Sequence, residues 1–99
     1  PWMKITLHPG AEQDIQEAAA FYEREGSSVL AARFVAEFKR LSNLLIEHPG
    51  IGSPRIRGRR GLSMSVFPYT VIYRAGADEI KVLVVKHDRK HPGYGGART

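Results

Sequence analysis

The stretch VLAARFVAEFKRLSNLLIEHPG, residues 29–50, carries the clearest period in the chain and constrains everything around it. Leu30, Phe34, Phe38, Leu41 and Leu45 step by four, four, three and four, and Val35 and Leu44 widen the stripe. That spacing is one buried face of a helix. His48-Pro49-Gly50 stops it, because proline cannot continue a helix and glycine favours its end. Upstream, Ala11, Ile15, Ala18, Ala19 and Tyr22 form a second helical stripe, with Glu12, Asp14 and Glu17 early in it, where the helix dipole favours anions. Gly26 ends that helix, and Ser27 or Ser28 caps the next. Only two or three residues join the helices, so they run antiparallel as a hairpin. Its apolar face needs a cover, and the rest of the chain can supply only a sheet.

The strands follow from alternation. Met3, Ile5 and Leu7 alternate with Lys4 and Thr6 until His8-Pro9-Gly10 breaks the pattern. Residues 50–61 read as a loop rich in glycine and arginine. Leu62 to Val66 alternates, Phe67-Pro68 interrupts, and Tyr69 to Tyr73 resumes with β-branched and aromatic residues. Pro68 sits where a bulge or an edge position would tolerate it. Residues 75–78 form a turn, and Ile80 to Val85 is a near-continuous apolar strand, hence central or well covered. Phe21, Phe34 and Phe38 fall on the helical stripes and are expected in the core. The predicted fold class is α+β: an N-terminal strand, an antiparallel helical hairpin, then a three-stranded antiparallel sheet packed on the hairpin (β-α-α-β-β-β). A single domain is expected over residues 3–99. Pro1 and Trp2 precede a plausible initiator at Met3 and are read as a remnant outside that domain.

Composition narrows the function. Ninety-nine residues make one modest core, with little material left for an internal cofactor cavity. No apolar run approaches the ~18 residues of a membrane span, and no signal-peptide pattern precedes the fold. With no cysteine, a disulfide framework and a thiolate zinc site are excluded. The expectation is a cytoplasmic protein with no cofactor and no membrane partner. Charge is divided unevenly. Residues 1–48 hold five Lys/Arg against seven acids, net −2, whereas residues 49–99 hold ten against three, net +7. Such polarity attracts an anionic partner, either a phosphate backbone or an acidic protein segment, unless it serves solubility alone.

Three basic clusters are candidate binding elements. Arg55, Arg57, Arg59 and Arg60 alternate with glycine in the loop, which suits phosphate contact, since the guanidinium fork matches phosphate oxygens. The same loop also reads as a mobile segment kept soluble by charge. Arg74 follows Tyr73 at a strand end. The tail adds His87, Arg89, Lys90, His91 and Tyr94. Metal-free RNA cleavage needs a base, a cation for the phosphorane charge and an acid for the leaving oxygen, and histidine, arginine and tyrosine fit those roles. A cationic tail also serves simply as a binding surface. No metal site is expected: only His87 and His91 have ligand-like spacing, and the cations between them oppose a metal. Phosphate-loop, dinucleotide and nucleophile-elbow patterns are absent.

In order and spacing these pieces resemble the RelE/ParE superfamily of small toxins from type II toxin–antitoxin pairs. The resemblance rests on Ala11, Asp14 and Ile15 at the first helix start, on 44–52 (LLIEHPGIG), on 67–74 (FPYTVIYR) and on 87–94 (HDRKHPGY). It implies a toxin that arrests growth and is neutralised by a cognate antitoxin. In the RelE-like branch, which cleaves mRNA on the ribosome without metal, Arg89 and Tyr94 would match the C-terminal pair, with His87 beside them. The strand cations of that branch are missing, however: Leu62, Ser63, Met64 and Ser65 stand where lysines would, and Thr70 where an arginine would. The Phe-Pro-Tyr strand start and His-x-Arg tail look more like the ParE-like branch, which inhibits DNA gyrase. A non-toxic remnant that only binds antitoxin is a third reading. If the arginine loop acts on the target, replacing Arg57, Arg59 and Arg60 by alanine is expected to weaken toxicity without unfolding, since they lie in a polar loop.

Overall fold

The computed structural model describes residues 3–99; the remnant assigned to Pro1 and Trp2 lies outside the described residues. Chain order is β1 (Lys4–Leu7), α1 (Pro9–Glu25), α2 (Ser28–Glu47), β2 (Ser53–Pro54), a 3-10 turn (Ile56–Gly58), β3 (Arg60–Ser63), β4 (Tyr69–Ala75) and β5 (Glu79–His87). α1 begins at Pro9, inside the triplet that the sequence marked as a break. Proline's fixed φ and missing N–H suit a first helical position, and His8 caps the helix by accepting from the Gly10 amide at 2.9 Å. Ser27 caps α2, its hydroxyl accepting from Leu30 N at 3.1 Å.

The sheet has five strands in the order β1-β5-β4-β3-β2 and is mixed, which corrects the expected three-stranded antiparallel sheet. β3, β4 and β5 are antiparallel neighbours as predicted. β1 joins them in parallel with β5, from Lys4↔Glu79 to Leu7↔Val82. The helical hairpin makes this possible, being part of the long crossover that a parallel pair requires. The fifth strand arises inside the expected loop, where Ser53 and Pro54 pair with Gly61 and Arg60. A two-residue edge ending in proline extends the sheet no further.

One face of the sheet meets the helices. Phe34, Phe38, Leu41 and Leu45 of α2 pack with Val71, Tyr73, Ile80, Val82 and Val85. Phe34 lies 5.3 Å from Phe67 and 5.0 Å from Tyr69, centroid to centroid, in edge-to-face geometry. Phe21 departs from expectation: it is 45% exposed, on the flank of α1, with the Arg24 guanidinium 5.8 Å from its ring. Three residues past Ala18, it falls beside the stripe of Ala11, Ala18 and Tyr22 rather than on it.

The unbroken apolar run in β5 has a geometric cause. Ile72 pairs with Val84 and Tyr73 with Val82, leaving Leu83 as the extra residue of a bulge. Val82 and Val85 belong to the helix-side core, whereas Leu83 and Val84 join Ile72 in a second cluster against which Tyr94 packs. Both faces of β5 therefore need apolar residues. Pro68 lies outside the strands, in the connection that follows β3, while Met64 and Phe67 from the same connection enter the core. Among the described residues, no helix is long and apolar enough to cross a membrane.

Candidate functional site

Beyond β5 the chain folds back across the sheet face that the helices leave open. Asp88 roots it: its amide donates to Pro68 O at 2.8 Å, and its carboxylate accepts from Thr70 Oγ1 at 2.7 Å. A series of turns follows, with Lys90 N bonded to His87 O, Tyr94 N to His91 O and Arg98 N to Gly95 O. Gly95 has φ +75°, and a Cβ there would stand 2.5 Å from Val84, so the tail approaches the sheet this closely only through glycine.

Asp14 is the anchor, a role beyond that of the early-helix acid expected of it. It lies three residues after Ala11 and four before Ala18, on the buried face of α1. β1 ends opposite Val82, so Val85 extends past its partner strand, and Asp14 Oδ2 accepts from the Val85 amide at 3.0 Å instead. The same carboxylate pairs with the Arg98 guanidinium at 2.7 Å and accepts from the Tyr94 hydroxyl. Arg98 also donates to Leu83 O at 3.0 Å, and its guanidinium occupies the space a side chain at Gly10 would need. A buried carboxylate of this kind is stable only with such a full set of donors. Accepting from Tyr94, it pushes the phenol's pKa up, with burial adding to the effect; Asp14 likewise raises that of Arg98.

The arginine loop grips the same tail from the other side. Arg57 donates to Gly96 O at 2.8 Å, Arg59 to Gly95 O at 3.3 Å, to Gly96 O at 3.2 Å and to Arg98 O, and Arg74 to Thr99 O at 2.9 Å. Arg59 is only 7% exposed, and burial lowers its pKa, as does repulsion from Arg57 and Arg74. The premise that Arg57, Arg59 and Arg60 all lie in a polar loop fails at Arg59, which is buried, and at Arg60, which opens β3. Arg60 turns elsewhere, donating to Gly52 O at 2.9 Å. Arg55 lies against Gly61, and its guanidinium makes no hydrogen bond among the described residues. The three clusters thus converge in part: Arg57, Arg59 and Arg74 meet the tail, and Arg60 does not.

Two grooves flank Tyr94. One, of about 450 Å³, opens between α1 and the end of β5; His87, Arg89 and Lys90 line it together with Glu17 and Phe21. His87 Nδ1 accepts from the Arg89 amide at 3.0 Å, so in the neutral ring the proton sits on Nε2. Lys90 Nζ stands 4.7 Å over the Tyr94 ring, and His91 meets that ring edge-on at 6.5 Å. The Arg89 side chain has no partner among the described residues and stays available. Lys86, buried between Thr70 and the tail, also borders this groove and went unnoticed as one apparent surface lysine of a strand. The second groove, of about 640 Å³, lies between the arginine loop and the tail.

The model of the family described as ParE toxin of type II toxin–antitoxin system, parDE, matches residues 5–92. The chain belongs to the ParE toxin family. The ParE match includes Asp14 but stops before its partners Tyr94 and Arg98. Among solved structures, one described as the chromosomal ParDE TA system from P. aeruginosa superposes with a TM-score of 0.75 at 19% identity, covering 86% of this chain and 95% of that one. At that identity the likeness is one of fold. Comparison with curated proteins gives no match. The resemblance to the RelE/ParE superfamily, on its ParE side, is thereby borne out.

Proposed function

We propose that this chain is the toxin of a type II toxin–antitoxin pair, arresting growth by inhibiting DNA gyrase and silenced by a cognate antitoxin. Membership in the ParE family supports the toxin reading, and one observation favours binding over RNA cleavage. Tyr94, a candidate for acid–base chemistry on RNA, donates its hydroxyl to buried Asp14 and has its pKa raised. A phenol held protonated and committed to a carboxylate is poorly placed to shuttle protons to a substrate. Thr70, at the position where a ribonuclease of the superfamily would carry a cation, spends its hydroxyl on Asp88. Arg89, without a side-chain partner among the described residues, and its basic neighbours in the first groove suit contact with an acidic protein surface, for the target or for the antitoxin.

Inducing the chain alone in bacteria and following labelled thymidine and methionine incorporation over the first minutes tests this. DNA synthesis is expected to stop first. If protein synthesis stops first, ribosome-dependent mRNA cleavage replaces the gyrase reading and His87 and Arg89 become its catalytic candidates. Growth unaffected by a folded, expressed chain means a non-toxic antitoxin-binding remnant.

A further inference from the structure

The groove between the arginine loop and the tail has a charge imbalance that the fold does not resolve. Arg57 and Arg59 hydrogen-bond only the backbone carbonyls of Gly95, Gly96 and Arg98, which are neutral acceptors. Neither has a carboxylate partner among the described residues. Arg59 carries the one buried side-chain nitrogen left without a partner among those residues, its Nε. A buried guanidinium beside Arg57, with no carboxylate partner of its own, is costly to hold. Arg57 is also kept at φ +61°, a left-handed conformation unfavourable for a side chain of its size.

The remaining lining is apolar: Ile56, which is 79% exposed, with Ile72, Pro92 and the Tyr94 ring. A volume of about 640 Å³ is far more than a bare anion needs and lies within the range of small-ligand pockets. The groove lies over the face of the sheet, and at Arg60 and Gly61, the end of β3 nearest the loop, that strand's edge is covered by β2, so a peptide in the groove has no strand edge to pair with.

We propose that this groove binds a nucleoside phosphate, free or as the 5′ end of a nucleic-acid strand. Arg55 and Arg57 meet the phosphate, their planar guanidinium forks matching pairs of its oxygens. Ile56 and Pro92 pack on the base. The site stands independently of the toxin reading, because growth arrest does not require nucleotide binding.

The test is isothermal titration of the full chain at low salt with adenosine 5′-monophosphate, adenosine, inorganic phosphate, and a short DNA oligonucleotide with and without a 5′-phosphate. Saturable binding of the monophosphate, weaker for phosphate and undetectable for adenosine, is expected. Arg55→Glu, which touches none of the tail contacts, should weaken it at least roughly tenfold while leaving the melting temperature in place. Amide shifts of Ile56, Gly93 and Gly96 in the wild-type NMR spectrum locate the ligand without any variant. A 5′-phosphorylated strand bound tightest identifies a strand end as the source, and equal affinities identify the free nucleotide. No saturable binding of a phosphorylated ligand, shifts confined to the other groove, or capture of an acidic peptide instead would each overturn the proposal.

Discussion

The Tyr94 hydroxyl donates to Asp14 across 80 positions of sequence, joining the tail to the first helix through one buried carboxylate. The same carboxylate holds Arg98 and closes the ladder at Val85, so the two ends of the chain are fastened at a single point.

Asp14→Ala leaves Arg98 without its only carboxylate partner among the described residues and the Val85 amide without its acceptor, and should destabilise the fold by about 3–5 kcal/mol. Tyr94→Phe removes one donor to a charged group and should cost about 1.5–3 kcal/mol. Because both act on one network, the double variant should fall short of the sum by about 0.5–3 kcal/mol in denaturant titrations. Additive effects would mean that the hydroxyl contact contributes nothing.

The arginines of the loop separate by burial. Arg59→Ala removes the fork that holds the carbonyls of Gly95, Gly96 and Arg98, and amide exchange over residues 95–98 should accelerate more than tenfold, an opening change of at least about 1.4 kcal/mol. Arg55→Ala should leave that exchange unchanged. A triple replacement of Arg57, Arg59 and Arg60 therefore reports on stability as well as on target contact, and Arg55 is the cleaner probe.

Val66 is β-branched, 93% exposed, and sits at φ +62° in the connection between β3 and β4. A left-handed conformation costs an L-residue about 1–2 kcal/mol, whereas glycine loses about 0.5–1 kcal/mol through its freer unfolded chain. Val66→Gly should thus raise the melting temperature by a few degrees. A fall would show that the valine side chain supports the connection.

Glu37 ties that connection to α2, accepting from the Ser65 amide at 2.7 Å and from Arg40 Nε at 2.8 Å. Hydrogen bonding to Arg40 is the main cause of its lowered pKa, with the Ser65 amide contributing. A carboxyl depressed on folding adds stability above its unfolded pKa and loses it as pH falls through the folded one. Glu37→Gln should therefore flatten the acid limb of a melting-temperature profile below about pH 4, relative to wild type. On the alkaline side the sign reverses. Tyr94, raised on folding, adds stability below about pH 10 that is lost as pH climbs past it, and Tyr94→Phe should reduce that loss.

Local physics made much of the chain legible in sequence. The 3.6-residue stripe from Leu30 to Leu45 specified α2, Gly26 and Ser27 placed the hairpin bend, and the alternation around Tyr69 to Tyr73 specified β4. These signals depend on neighbours within a turn or two. The basic character of the second half was equally readable, as charge needs no fold to be counted. Tertiary structure alone decided what the cations do. Arg59 became a buried clamp and Arg89 has no side-chain partner among the described residues, because only the path of the tail determines which carbonyls come within reach. Asp14 looked like an early-helix acid, and its position on the apolar stripe was the one local hint of burial. Its partners at Val85, Tyr94 and Arg98 are more than 70 residues away, and a bond across such a separation is set by how the sheet, helix and tail pack together.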